Sequence, residues 1–173
     1  ITAGTDSSCT RCLSSLFIPL SRMELNGQTD THKSLWESID QLADSSENLV
    51  RFNERMRIVD PEYADFRRKQ NSVRILRKDG SSLPLEVMGT GFICIFHILS
   101  RIRDHHNLIV IDEIDIGLHH SVITSFLRKL TEFSEASPNH PQIFCTTHSD
   151  DILVRALDAF DSEDDLLRTF RII

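Results

Sequence analysis

The chain has 173 residues, 40% of them hydrophobic and 26% charged, with a formal net charge of -7. That is the length of one domain, and the composition supports a packed core, which excludes an intrinsically disordered chain. The acidic total excludes a general electrostatic attraction to nucleic acid or anionic lipid.

Residues 1–15 are rich in Ser and Thr and predict a loop or frayed terminus. Within them Cys9 and Cys12 form a lone C-x-x-C, and a second pair that would complete a zinc site is missing. Residues 16–20 are a short apolar run, a predicted strand closed by Pro19. Residues 24–33 are polar with Gly27 and predict a loop. From Ser34 the apolar residues Leu35, Trp36, Ile39 and Leu42, then Leu49, Phe52 and Met56, recur at helical spacing. A break falls at residues 44–46, and Asp60-Pro61 stops the helical region.

Residues 72–76 and 82–86 predict two paired strands joined by the Lys78-Asp79-Gly80 turn. Arg67, Arg68, Lys69, Arg74, Arg77 and Lys78 make this the one local basic patch. It reads either as a solvated face or as a polyanion contact. Val87-Met88-Gly89-Thr90-Gly91 is a Gly-rich turn leading into an apolar helix over about residues 92–102. A polar link over 104–107 precedes Leu108-Ile109-Val110-Ile111, whose continuous β-branched character predicts a strand buried on both faces. Residues 121–133 read as a helix, 138–141 as a loop, 142–146 as a second buried strand, 150–160 as a helix and 167–173 as a last strand. Cys94 and Cys145 sit in apolar runs and read as small core residues. Alternation of strand and helix in this half predicts a parallel sheet with right-handed crossovers.

Three features carry chemistry. The strand over 108–111 ends in Asp112-Glu113. Adjacent acids at the C-terminal edge of a parallel sheet stand where such folds bind ligands. One carboxylate can serve Mg2+ and the other can orient or deprotonate an attacking water. A second buried strand is followed by Thr146-Thr147-His148-Ser149, which brings His148 to the same crevice, within reach of a phosphate oxygen. Gly89-Thr90-Gly91 opens a helix, offering close backbone approach and free N–H groups to an anion. Each feature alone has a plain structural reading: a polar strand exit, a satisfied histidine and an ordinary turn. Their order along the chain favours a shared site.

That order, a Gly-x-Gly helix, then LIVIDEIDIGLHHS, then QIFCTTHSDD, resembles the C-terminal half of an ABC-type ATPase. More narrowly it resembles the AAA-family ATPases related to OLD nucleases and, more distantly, SMC and RecF repair ATPases. The resemblance covers residues 83–173 well and 16–82 loosely. It implies an α/β P-loop NTPase fold, with a partial ATPase lobe carrying a helical and hairpin insertion over 1–82 and the core over 83–173. Carried over by position, it implies Asp112 as the Walker B magnesium ligand, Glu113 as the catalytic glutamate and His148 as the switch histidine. Gly117, Leu118 and His119 match the D-loop, and Gly89, Thr90 and Gly91 match the signature motif that contacts nucleotide on the opposite protomer. ATP and Mg2+ are the implied cofactors. An ATP-dependent dimer is the implied assembly, with a nucleic-acid or nuclease partner and a role in repair or phage defence. The chain lacks LSGGQ, and Asp115 to His120 replaces the PTSALD-like run of transporters, which argues against transport.

A P-loop, G-x-x-x-x-G-K-[ST], is also required. Gly27-Gln28-Thr29-Asp30-Thr31-His32-Lys33-Ser34 has the first Gly, the Lys and the Ser, but His32 replaces the second Gly and Asp30 would repel phosphate. It reads as a chance near-match, with the true P-loop expected upstream of a chain that begins at Ile1 and reads as a piece of a longer protein. No apolar run nears the roughly 20 residues of a membrane span, so a cytoplasmic location with reduced thiols is expected and no membrane partner. Two other classes stay open. One is a non-catalytic, ATPase-like interaction module. The other is a metal-dependent nuclease recruiting Asp150 and Asp151. A metal cluster of Asp115, His119 and His120 competes with a plain helix start.

Overall fold

A computed structural model describes residues 14–20, 30–69 and 72–160. Cys9, Cys12 and the expected strand over 167–173 lie outside them. Strands β1 (Ser15–Pro19), β5 (Leu108–Asp112) and β6 (Gln142–Cys145) form one parallel sheet in the order β1-β5-β6. Leu16, Ile109 and Ile143 lie side by side, as do Ile18 and Ile111. The fold class is therefore the expected α/β one, and the sheet draws its strands from both ends of the sequence.

Between β1 and β5 run α1 (Asp30–Ala43), α2 (Ser46–Val59), strands β2 (Tyr63–Lys69), β3 (Ser72–Arg77) and β4 (Ser82–Pro84), a 3-10 turn (Leu85–Val87) and α3 (Thr90–Arg101). Helix α4 (His120–Ala136) crosses from β5 to β6, and α5 (Asp150–Ala159) follows β6. Helix α1 starts at Asp30, four residues inside the stretch expected to be a loop, so the backbone is already helical within the 27–34 near-match. The break between α1 and α2 falls where expected, because the Ser45 hydroxyl accepts from the Asn48 N–H and caps α2. Asp60, just before Pro61, ends α2.

Strand β2 carries no period-two signal in its sequence. It pairs antiparallel with β3, and a register shift between Tyr63 and Asp65 turns both Tyr63 and Phe66 inward, three residues apart. That shift erases the period-two alternation by which strands are read. The second expected strand is shorter, because Leu85 and Glu86 turn into the 3-10 segment.

The core lies where α3 meets its neighbours. Ile93 to Ser100 are all buried, and Phe52, Phe66 and Phe96 meet edge-to-face with centroids 5.0–5.5 Å apart. Polar groups in this core are mostly paired. The Tyr63 hydroxyl donates to Asn53 Oδ1 at 2.6 Å, Asn53 Nδ2 donates to Asp65, and Ser38 and Ser100 share a 2.9 Å bond. Buried Arg103 donates to the Ser100 and Ile102 carbonyls. His97 is fully buried with neither ring nitrogen bonded, and burial first, then Arg101, pushes its pKa down to about 4.

Two expectations about the strands need correction. Strand β5 is not buried on both faces: Ile109 and Ile111 are fully buried, but Val110 is half-buried between Phe17 and Phe144, which are 55% and 51% exposed. Among the described residues the core covers one face of the sheet. Strand β6, expected to be buried, is mostly exposed, with Ile143 half-buried and Cys145 exposed at its end, whereas Cys94 is buried as expected.

Candidate functional site

The C-terminal ends of β5 and β6 lie side by side, and this places the expected residues. Thr146 N–H donates to the Ile111 carbonyl at 3.0 Å and Ile114 N–H donates to the Thr146 carbonyl at 3.0 Å, so the chain beyond β6 is stitched to the chain beyond β5. Asp112 is the last residue of β5. Leu20 N–H donates to its carbonyl at 3.2 Å, so β1 ends at the same edge.

Glu113 leaves the strand with φ of 55°, a left-handed conformation uncommon for a residue with a side chain. Such strain persists only where the surroundings over-determine it. Here the Glu113 N–H donates to Thr146 Oγ1 at 2.8 Å, and Thr146 Oγ1 donates to Asp112 Oδ1 at 2.6 Å. The hydroxyl spends its proton on one acid and accepts from the backbone of the other. Alternation along an extended strand would point adjacent acids to opposite faces. The left-handed turn at Glu113 removes that constraint.

His148 Nε2 stands 3.6 Å from Glu113 Oε1. That is too long for a direct hydrogen bond. The His148 side chain is 87% exposed and Glu113 27%, so the pair opens to solvent. The three residues expected to meet, Asp112, Glu113 and His148, do meet at one sheet edge.

The remaining candidates form a second, adjacent group. The turn over 113–117 is closed by Ile116 N–H donating to the Glu113 carbonyl at 2.9 Å. It ends at Gly117, with φ of 73°. A Cβ there would lie 2.6 Å from Thr90 Cγ2 and 3.1 Å from Cys94 Sγ, and a Cβ on Gly91 would lie 2.8 Å from the Gly117 carbonyl oxygen. The D-loop-like and signature-like turns thus pack on each other through two glycines. Gly89, with φ of 82°, and Thr90 are exposed at the start of α3, Leu118 is buried and His119 is exposed.

Thr146 is a site residue to which the motif pattern assigns no role. Its only sequence signal is its place two residues before His148. Other sequence candidates do not join the site. Among the described residues no three His, Cys, Asp or Glu side chains come close enough to hold a metal on their own. The basic patch is thinned by pairing: Arg68 binds Asp40 and lies 5.2 Å over Trp36, and Arg77 binds Asp60. Arg67 stays exposed directly opposite Arg74, whose guanidinium donates twice to Ser82. A cavity of about 290 Å³ lies between α2 and α4, lined by Arg55, Leu99, Phe126 and Phe133, away from all these residues. No described helix is long and apolar enough to cross a membrane.

No curated protein matches the chain. Among solved structures, it is similar in fold to a chain from work titled "Structural biochemistry of ATP-driven dimerization and DNA stimulated activation of SMC ATPases". That match has a TM-score of 0.52 and 12% identity, over 68% of this chain and 77% of that one. The SMC head domain of Thermotoga maritima matches at TM-score 0.49 and 18% identity, over 72% of this chain and 45% of that one. The Smc head domain of Pyrococcus furiosus, solved with the C-terminal domain of ScpA, matches at 0.47 and 12%, over 69% and 32%. The chain therefore spans less than half the length of these last two. The first match supports the parallel-sheet architecture as that of the SMC ATPase heads, a P-loop NTPase fold. A family model described as "AAA domain, putative AbiEii toxin, Type IV TA system" matches residues 23–155, well over half of the chain, and the chain belongs to that AAA-domain family.

Proposed function

We propose that this chain supplies the water-activating half of an ATP-hydrolysing site. The observation that carries the reading is the convergence of Asp112, Glu113 and His148 at one sheet edge, with Glu113 and His148 3.6 Å apart. Asp112, half-buried at the end of β5, has the hard carboxylate donor that would hold Mg2+. Mg2+ and ATP, when bound, bring the electrophilic phosphate and its charge compensation. Glu113 then orients the attacking water and accepts its proton. His148, with one nitrogen toward Glu113, has a second nitrogen to offer to a phosphate oxygen. A phosphate cradle is needed as well. His32 stands where the second glycine of such a loop is needed and Asp30 would repel phosphate, and we assign the cradle to a segment other than 27–34.

Exposed Gly89 and Thr90 at the start of α3 suit contact with nucleotide held by a second protomer, so the working unit is an ATP-dependent dimer. Its partner is nucleic acid or a nuclease, in a repair or defence setting related to the OLD-like ATPases. The observation favouring nucleic acid is Arg67 facing Arg74 across β2 and β3: like charges directly opposed cost stability unless a polyanion offsets them. Glu113→Gln in the full-length protein tests the catalytic reading. Turnover should fall about 100-fold or more while ATP binding and the ATP-bound dimer persist. Turnover matching the parent would sink the assignment.

A further inference from the structure

We infer that Thr146 is a positioning residue that locks Asp112 and Glu113 into working geometry and ties both to the segment bearing His148. The inference rests on the site reading above and adds to it the group that sets the carboxylates.

A threonine hydroxyl has one proton to give. In this structure that proton goes to Asp112 Oδ1 at 2.6 Å, and the oxygen accepts the Glu113 N–H at 2.8 Å. The first bond is charge-assisted and therefore among the stronger kinds. It commits Oδ1 and fixes the rotamer of Asp112, leaving Oδ2 for the metal. The second bond holds the backbone of Glu113 at φ of 55°, which an ordinary residue would relax out of. The Thr146 backbone makes two more bonds, to Ile111 and from Ile114, so the hydroxyl sits at a fixed height between the strand ends. His148 lies two residues on, and Ser149 N–H donates to Thr147 Oγ1 at 3.0 Å, which keeps the segment turned. A displacement of His148 is therefore passed to both acids through one hydroxyl. Valine at 146 has threonine's shape but neither the donor nor the acceptor.

The test uses the full-length protein carrying Thr146→Val, Thr146→Ala or Thr146→Ser. The first readout needs no nucleotide: amide hydrogen exchange at Glu113. It should speed up about tenfold in Val and Ala and stay near the parent in Ser. The second is Mg2+-dependent binding of a fluorescent, non-hydrolysable ATP analogue. Its Mg2+ half-saturation should rise about tenfold in Val and Ala, with analogue affinity at saturating Mg2+ unchanged and Ser restoring the parent value. Unchanged exchange and unchanged Mg2+ dependence in Val and Ala would overturn the inference, and so would Ser behaving like Val. Glu113→Gln in the same series separates the two failures. If it turns over normally, the site reading falls. If it is inactive while Thr146→Val matches the parent, only the role of Thr146 falls.

Discussion

Gly117→Ala tests the packing that joins the signature-like turn to the D-loop-like turn. Two costs are legible. The residue sits at φ of 73°, where a side chain is disfavoured by about 1 kcal/mol. Its new Cβ would also lie 2.6 Å from Thr90 Cγ2 and 3.1 Å from Cys94 Sγ. Forcing a methyl into a filled space costs about 1–3 kcal/mol. The sum is about 2–4 kcal/mol, which lowers the melting midpoint by about 5–15 °C for a domain of this size. The two costs separate in a double-mutant cycle. Thr90→Ser removes Cγ2, the atom in closest conflict, and leaves the backbone cost in place. Thermal melts and urea titrations of the parent, both single variants and the double variant should give a favourable coupling of about 1 kcal/mol. Strict additivity of the two substitutions would refute the proposed contact. A Gly117→Ala variant as stable as the parent would refute the whole account of this turn.

His97 predicts an acid-sensitive core. Burial, with Arg101 adding to it, holds the folded pKa near 4, against an ordinary value of about 6.5. Between those values the unfolded chain takes up a proton that the folded chain refuses. Stability is thus full above about pH 6.5 and declines as pH falls toward 4, by up to about 3 kcal/mol. His106, also pushed down to about 4 by burial and then by His105, with its Nδ1 accepting the Arg103 N–H, adds loss of the same sign. His97→Leu should flatten part of this slope in urea titrations at pH 5, 6 and 7.5, and parallel curves for parent and variant would contradict it. The nucleic-acid reading predicts that Arg67→Gln with Arg74→Gln weakens duplex binding and lowers the salt slope of log K by about 2. Anisotropy titrations across salt check this, with Lys129→Gln, whose parent lysine is paired with Glu132, as the control expected to leave binding alone.

Much of the site was legible because its chemistry is local. A β-branched run ending in Asp112-Glu113 and a second run ending in Thr146 to Ser149 announce two strand ends. Parallel pairing of consecutive strands then brings those ends together without further information. The helices were legible for the same reason, since an apolar stripe and a cap such as Ser45 are short-range signals. Strand β2 was hidden because the shift between Tyr63 and Asp65 is created by its partner strand and leaves no period in its own sequence.

What only the tertiary structure decided is how side chains far apart in sequence share atoms. The sequence determined that two acids and a histidine would reach one edge of a parallel sheet. It could not determine that Glu113 turns left-handed, that Thr146 divides one hydroxyl between Asp112 and Glu113, or that Gly91 and Gly117 are glycines because each lies against the other's turn. Nor could it sort the basic patch into Arg68 and Arg77, spent on Asp40 and Asp60, and Arg67 and Arg74, left facing each other. Strand periodicity is a property of neighbouring residues, so it survives in one dimension. Hydrogen-bond partners and close contacts are set by the distance between segments that are not neighbours along the chain, and that distance exists only once the chain has packed.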